Sequence, residues 1–209
     1  MNSWLPSLAL ALLILPGAAT IAHSAPKTLL VLGDSLSAEY GLTRGAGWVA
    51  LMQQRLQEQH VGDDVVNASI SGETTSGGRT RLPALLEKYH PAVVVIELGA
   101  NDGLRGLPVA AAEANLRAMD AAAKTAGARV LLVGIRIPPN YGRDYTDKFF
   151  AMYAKVSTDL NTPLVPFMLD GVADKPQLFQ ADRLHPIAEA HPAILNNIWP
   201  HLQPLLKTR

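Results

Sequence analysis

Four short stretches of the 209-residue chain hold residue types that acyl transfer needs. They are "GDSLS" at 33–37, "SISGETTSGGRTR" at 69–81, "GANDGLRG" at 99–106 and "DRLHP" at 182–186. A serine hydroxyl is a weak nucleophile that needs an adjacent base, most often His, which a carboxylate in turn orients. Fixed N–H donors must then hold the oxyanion, and removing one such donor costs about 2.7–4 kcal/mol of transition-state stabilisation. Beyond residue 24 the candidates for the base are His60, His90, His185, His191 and His201. His60 and His90 fall where strands begin, on the wrong side of a sheet for shared chemistry. His191 and His201 fall in or beside the terminal helix, where a solvated imidazole is expected. His185 alone sits in a loop after the last strand, with Asp182 three residues before it and Pro186 after it. One tight turn can bring that carboxylate to Nδ1 and leave Nε2 facing outward.

Each stretch taken singly also has a plain structural reading. Asp34 suits a turn and Ser35 an N-cap, "GAND" suits a turn because Gly and Asn tolerate positive φ, and Asp-x-x-His suits a turn or a cap. Within "VLGDSLSAEY" (31–40) adjacency argues against Asp34 as the acid of Ser35, since consecutive side chains diverge. Asp34 is expected to be a buried or turn-forming residue that fixes the loop, and Ser37 to cap the turn that follows.

The elements that must position these residues alternate between two periods. "TLLVLG" (28–33), "VVNASI" (65–70), "AVVVIELG" (92–99), "ARVLLVGI" (128–135) and "TPLVPF" (162–167) are short apolar runs ending in Gly or polar loops. They read as strands buried on both faces. Between them lie amphipathic stretches: Trp48 to Leu56, Leu82 to Tyr89, "AAAEANLRAMDAAAKTAG" ending at Gly127, "DKFFAMYAKVSTDL", and Ile187 to Leu206, the last interrupted by Pro192, Pro200 and Pro204. Alternation of this kind argues for an α/β fold, a parallel sheet with helices on both faces, and ligands then bind outside the carboxyl ends of the strands. The four stretches above are the loops at those ends.

Composition narrows the function class. Lys plus Arg equals Asp plus Glu at 18 each, so net charge suggests no attraction to nucleic acid or to an anionic membrane surface. With no Cys in the chain there are no disulfides, no thiolate catalysis and no Cys-ligated zinc. Residues 1–24 contain no charged side chain and carry the run "LALALLIL" at 8–15 followed by Pro16 and Gly17. That run is too short to span a bilayer, which takes about 20 residues, and Ala22-His23-Ser24 suits cleavage of a signal peptide. The expectation is a leader over 1–24 and one hydrolase domain over 25–209, exported to the periplasm or secreted.

Taken together, the blocks "GDSLS" (33–37), "ASISGETTSGG" (68–78), "GAND" (99–102) and "DRLHP" (182–186) resemble those of the SGNH or GDSL hydrolases, in order and over nearly the whole mature chain. Within that family the sequence is similar to the bacterial periplasmic thioesterase I, protease I and lysophospholipase branch and to related arylesterases. "IRIPPNYGRDY" (135–145) looks like the loop those enzymes carry after the fourth strand. The resemblance implies a flavodoxin-like three-layer α/β/α fold with a five-stranded parallel sheet. It implies Ser35 as nucleophile, Asp182 and His185 as acid and base, and Ser35, Gly72 and Asn101 as the oxyanion hole. The residues agree with those roles: the Ser35 N–H can face an oxyanion, Gly72 lets its N–H approach closely, and Asn101 supplies an uncharged amide donor.

The implied reaction is hydrolysis of a small-molecule ester or thioester through an acyl-serine intermediate, with no metal or organic cofactor and a monomer expected. Leu104 and Leu107, with Ile137, Pro138 and Tyr141 in the next loop, read as an apolar wall for an acyl chain. Arg44, Arg79, Arg105, Arg136 and Arg143 could meet an anionic head group or stay solvated. Two alternatives stand beside this: a carbohydrate O-deacetylase on the same scaffold, and a flavodoxin-like phosphate-binding protein. The second lacks a G-x-G-x-x-G after the first strand and leaves Asp182 and His185 unexplained.

Overall fold

The computed structural model describes Met1 and residues 27–59, 61 and 64–207. The expected leader beyond Met1, and His60, lie outside the described residues. The five strands are β1 (Thr28–Gly33), β2 (Asp64–Asn67), β3 (Val93–Glu97), β4 (Arg129–Val133) and β5 (Leu164–Val165). The helices are α1 (Trp48–Glu58), α2 (Thr75–Tyr89), α3 (Ala100–Leu104), α4 (Val109–Thr125), α5 (Arg143–Leu160) and α6 (His191–Lys207). All strand pairs are parallel, in the order β2-β1-β3-β4-β5. α1 packs with α6, and α4 packs between α2 and α5, as a doubly covered sheet requires.

Burial on both faces holds for the three inner strands. Val93, Val94, Val95 and Ile96 of β3 are all buried, each contributing about 1.5–3 kcal/mol of transfer free energy. It does not hold for β2, an edge strand whose Asp64 and Asn67 are exposed. The run at 65–70 ends as β2 at Asn67, although the Ala68 and Ile70 N–H groups still donate to Val31 O and Gly33 O at 2.9 and 3.0 Å.

Three helices differ from the sequence reading, the first being α3, which forms inside "GANDGLRG" where a loop is expected. α2 begins at Thr75, seven residues before the first apolar position, because its first turn is "TSGG" and carries no apolar stripe. Thr74 caps it, accepting the Gly77 N–H at 3.3 Å. α6 runs unbroken through Pro200 and Pro204. Both prolines are exposed, and although each removes a backbone hydrogen bond, buried Ile194, Leu195, Ile198 and Leu202 anchor the opposite face. Residues 188–190, expected in that helix, form a separate short 3-10 turn.

Because the chain leaves β1 first for β2 and later returns to β1's other side as β3, the strand order reverses between β1 and β3. Their carboxyl ends, Gly33 opposite Glu97, form the crevice in which this class of sheet binds ligands.

Candidate active site

The turn after β1 is built by Asp34. Its backbone carbonyl accepts the N–H groups of Ser37 and Ala38 at 3.2 and 2.9 Å, and its Oδ1 accepts the Leu36 N–H at 3.0 Å. The carboxylate is fully buried, and its Oδ2 accepts Asn101 Nδ2 at 3.2 Å, while Ser35 is half-buried. Asp34 is therefore the buried turn residue that adjacency implies. Ser37 departs from its expected role as a cap. It is buried, donating to Glu97 Oε2 at 2.6 Å and accepting the Trp48 indole N–H at 3.2 Å.

Asp182 and His185 lie at the tip of a hairpin closed by Gln180 N–H to His185 O at 2.8 Å and Ile187 N–H to Leu178 O at 2.9 Å. Asp182 Oδ1 accepts the N–H groups of Leu184 and His185 at 2.9 and 3.1 Å, which frees Oδ2 for the ring. His185 Nδ1 lies 2.7 Å from Asp182 Oδ2, and Nε2 lies 2.9 Å from Ser35 Oγ. Partial burial pushes the Asp182 carboxyl up, but the Leu184 N–H, the His185 ring and the His185 N–H outweigh it and hold it at about 2. The acid is thus an ionised carboxylate at any ordinary pH.

Gly72 sits at φ +81°, a left-handed conformation that favours glycine. Arg105 Nη2 holds its carbonyl at 2.8 Å, so one arginine offered for head groups instead fixes this peptide. The Ser35 and Gly72 N–H groups donate to no acceptor among the described residues. Asn101, on α3, aims its Nδ2 at Glu73 O and Asp34 Oδ2, at 3.0 and 3.2 Å. Both amide hydrogens are engaged in this arrangement, and the longer contact is the weaker. Asp102 fixes the same region from below: its Oδ2 accepts the Thr75 N–H at 2.8 Å and its Oδ1 the Thr75 hydroxyl at 2.5 Å.

Two features go beyond the sequence reading or depart from it. Glu97, fully buried at the end of β3, accepts the Asp34 N–H at 3.3 Å as well as the Ser37 hydroxyl. Burial, and then the Asp34 charge, push its carboxyl well above the usual range against the Ser37 hydrogen bond. Burial likewise pushes Asp34 up to about 6, against the Leu36 N–H. His191 is not solvated: it is 2 % exposed and its Nδ1 accepts the Trp48 N–H at 3.0 Å. The tertiary contact between α1 and α6 encloses it, and burial lowers its pKa. A strand buried on both faces encloses Glu97, but its bond to Ser37 and the bond of His191 to Trp48 join distant residues and carry no local signal.

Among the residues expected to meet an acyl chain, Tyr141 Oη donates to Leu104 O at 2.9 Å, joining the two loops. Leu107 and Tyr141 are exposed, and Ile137 is buried in the core. Arg136 stacks on Phe150 at 3.9 Å and Arg79 donates to Asn115 at 3.2 Å. Among the described residues no cluster of three or more His, Asp or Glu side chains could hold a metal ion.

Residues 31–193 match the model of the GDSL-like lipase/acylhydrolase family. The chain is 52 % identical over 184 residues to "Esterase TesA" of Pseudomonas aeruginosa, covering 88 % of this chain and 92 % of that protein. It is 45 % identical over 187 residues to "Thioesterase 1/protease 1/lysophospholipase L1" of Escherichia coli, covering 90 % and 88 %. A solved structure described as TesA superimposes with a TM-score of 0.84 at 52 % identity, covering 86 % of this chain and 99 % of that one. The esterase EstA from Pseudoalteromonas, described as inhibited by monoethylphosphonate, superimposes with a TM-score of 0.82 at 43 % identity over 87 % of this chain and all of the other.

Proposed function

The chain belongs to the GDSL-like lipase/acylhydrolase family, and from that premise we propose that it is a serine hydrolase cleaving carboxylic esters or thioesters through acyl-Ser35. The observation that carries this reading is the relay of 2.9 Å from Ser35 Oγ to His185 Nε2 and 2.7 Å from His185 Nδ1 to Asp182 Oδ2. His185 Nε2 takes the hydroxyl proton as Ser35 Oγ bonds to the acyl carbon, and the imidazolium so formed stays paired with Asp182. The oxyanion is held by the Ser35 and Gly72 N–H groups and by Asn101, whose Nδ2 hands over its longer contact with Asp34. His185 then protonates the leaving group as the tetrahedral carbon collapses. Water, deprotonated by the same nitrogen, releases the acid and restores Ser35.

Leu104, Leu107, Pro138 and Tyr141 offer apolar surface beside Asn101, which favours an acyl chain over sugar hydroxyls, with Ile137 supporting that surface from the core. We read residues 1–24 as an export leader and the mature chain as a monomer. A fluorophosphonate is expected to add to Ser35 by mass spectrometry, a relative being described as inhibited by monoethylphosphonate, and Ser35→Ala is expected to lose both labelling and ester hydrolysis. A folded Ser35→Ala protein with unchanged rate would sink the assignment. Octanoyl p-nitrophenyl ester is expected to turn over faster than the acetyl ester, whereas acetyl-only activity would favour the deacetylase.

A further inference from the structure

Ser35 and His185 stand 150 positions apart in the chain, so their registry depends on what joins the loop after β1 to the terminal hairpin. Gln180 joins them. Its Nε2 donates to Tyr40 O at 2.9 Å and to Pro186 O at 3.2 Å, and its own N–H donates to His185 O at 2.8 Å. The fit depends on Gly41, at φ +71°, where an added Cβ would lie 2.2 Å from Gln180 Oε1. The loop itself is stiff: Glu39 adopts φ 59°, uncommon outside glycine, and its carboxylate accepts the Gly45 and Gly47 N–H groups at 3.0 and 2.9 Å. This frame presents the Tyr40 ring to the His185 ring, with centroids 4.4 Å apart and planes at 39°. The ring stays half exposed.

The geometry points to Tyr40, seated by Gln180, as a positioning residue for His185. This rests on the reading of Ser35 and His185 as nucleophile and base. The hydrogen bonds at Nδ1 and Nε2 pull on two edges of the imidazole and leave its plane free to rock, which the packed Tyr40 face prevents. When Nε2 gains the proton of Ser35 the imidazole becomes a cation, and an aromatic face attracts a cation more than a neutral ring. That attraction appears only as the barrier is crossed, so it acts on kcat rather than KM.

The test is kinetics on one p-nitrophenyl ester, fluorophosphonate labelling rates and thermal midpoints for Tyr40→Leu, Tyr40→Phe and Gln180→Ala. Tyr40→Leu, which keeps bulk without a π-face, is expected to lower kcat by about ten-fold with KM within about two-fold, and to slow labelling of Ser35 in step. Gln180→Ala behaves the same way, at temperatures well below an intact thermal midpoint, and Tyr40→Phe rescues the rate. Wild-type kcat in Tyr40→Leu overturns the proposal, as does a loss confined to KM, which would make Tyr40 a substrate contact. A Tyr40→Phe variant as slow as Tyr40→Leu also overturns it, since the hydroxyl would then be the active part. Absence of labelling at Ser35 in the wild-type protein would instead remove the nucleophile reading beneath it.

Discussion

Asp182 does two tasks with one carboxylate. Oδ1 holds the turn through the Leu184 and His185 N–H groups while Oδ2 fixes the imidazole. Asp182→Asn separates these tasks, because an amide can keep its oxygen on the two N–H groups but then turns its NH₂ toward Nδ1. The ring would put its proton on Nε2 and could no longer accept one from Ser35. The expected result is a kcat lower by about 10³–10⁴-fold at neutral pH with a nearly unchanged thermal midpoint; a loss below ten-fold would remove Asp182 from the relay. Ser35, Asp182 and His185 were legible in the sequence because each lies in a loop after a strand, and three residues of spacing suffice for one tight turn. Tyr40 and Gln180 carried no such signal, since their meeting depends on two loops 140 positions apart in the chain.

At the scale of elements, β1 and β3 are joined at their carboxyl ends by a buried acid pair as well as by their ladder. Asp34 and Glu97 both have folded pKa values above their ordinary ones of 3.8 and 4.5, so in the folded state they hold protons that the unfolded chain releases. Their contribution to stability is fully present below about pH 4 and is lost as pH rises through their raised folded values, about 6 for Asp34. Glu97→Gln keeps an acceptor for the Ser37 hydroxyl and the Asp34 N–H while removing one of the two titrations. Thermal midpoints of the wild-type protein are expected to fall by several degrees between pH 4 and 8, and those of Glu97→Gln to fall less. Parallel curves would assign the pH dependence to other groups. The start of α2 belongs to the same scale: "TSGG" is a weak helix former, and it is Asp102 of α3 that holds Thr75 in place.

At the scale of the whole molecule, the strand order β2-β1-β3-β4-β5 gathers loops from the two ends and the middle of the chain at one edge of the sheet. No described helix is long and apolar enough to cross a membrane. The proposed leader over 1–24 is tested by N-terminal sequencing of protein recovered from the cell envelope or medium, where Ala25 is the expected first residue. A chain recovered there with Met1 intact would mean that the apolar run acts as an anchor. The sequence by itself determined the alternation of strand and helix, the strand-ending segments that carry Ser35, Gly72, Asn101, Asp182 and His185, and the family, because apolar period and short motifs are local properties. Only the tertiary structure decided that Ser37 bonds to Glu97 at the end of β3, that His191 is enclosed between α1 and α6, and that Asn101 is already engaged. Burial and hydrogen-bond partnership depend on which distant residues the topology brings within about 3 Å, and no local pattern encodes that distance.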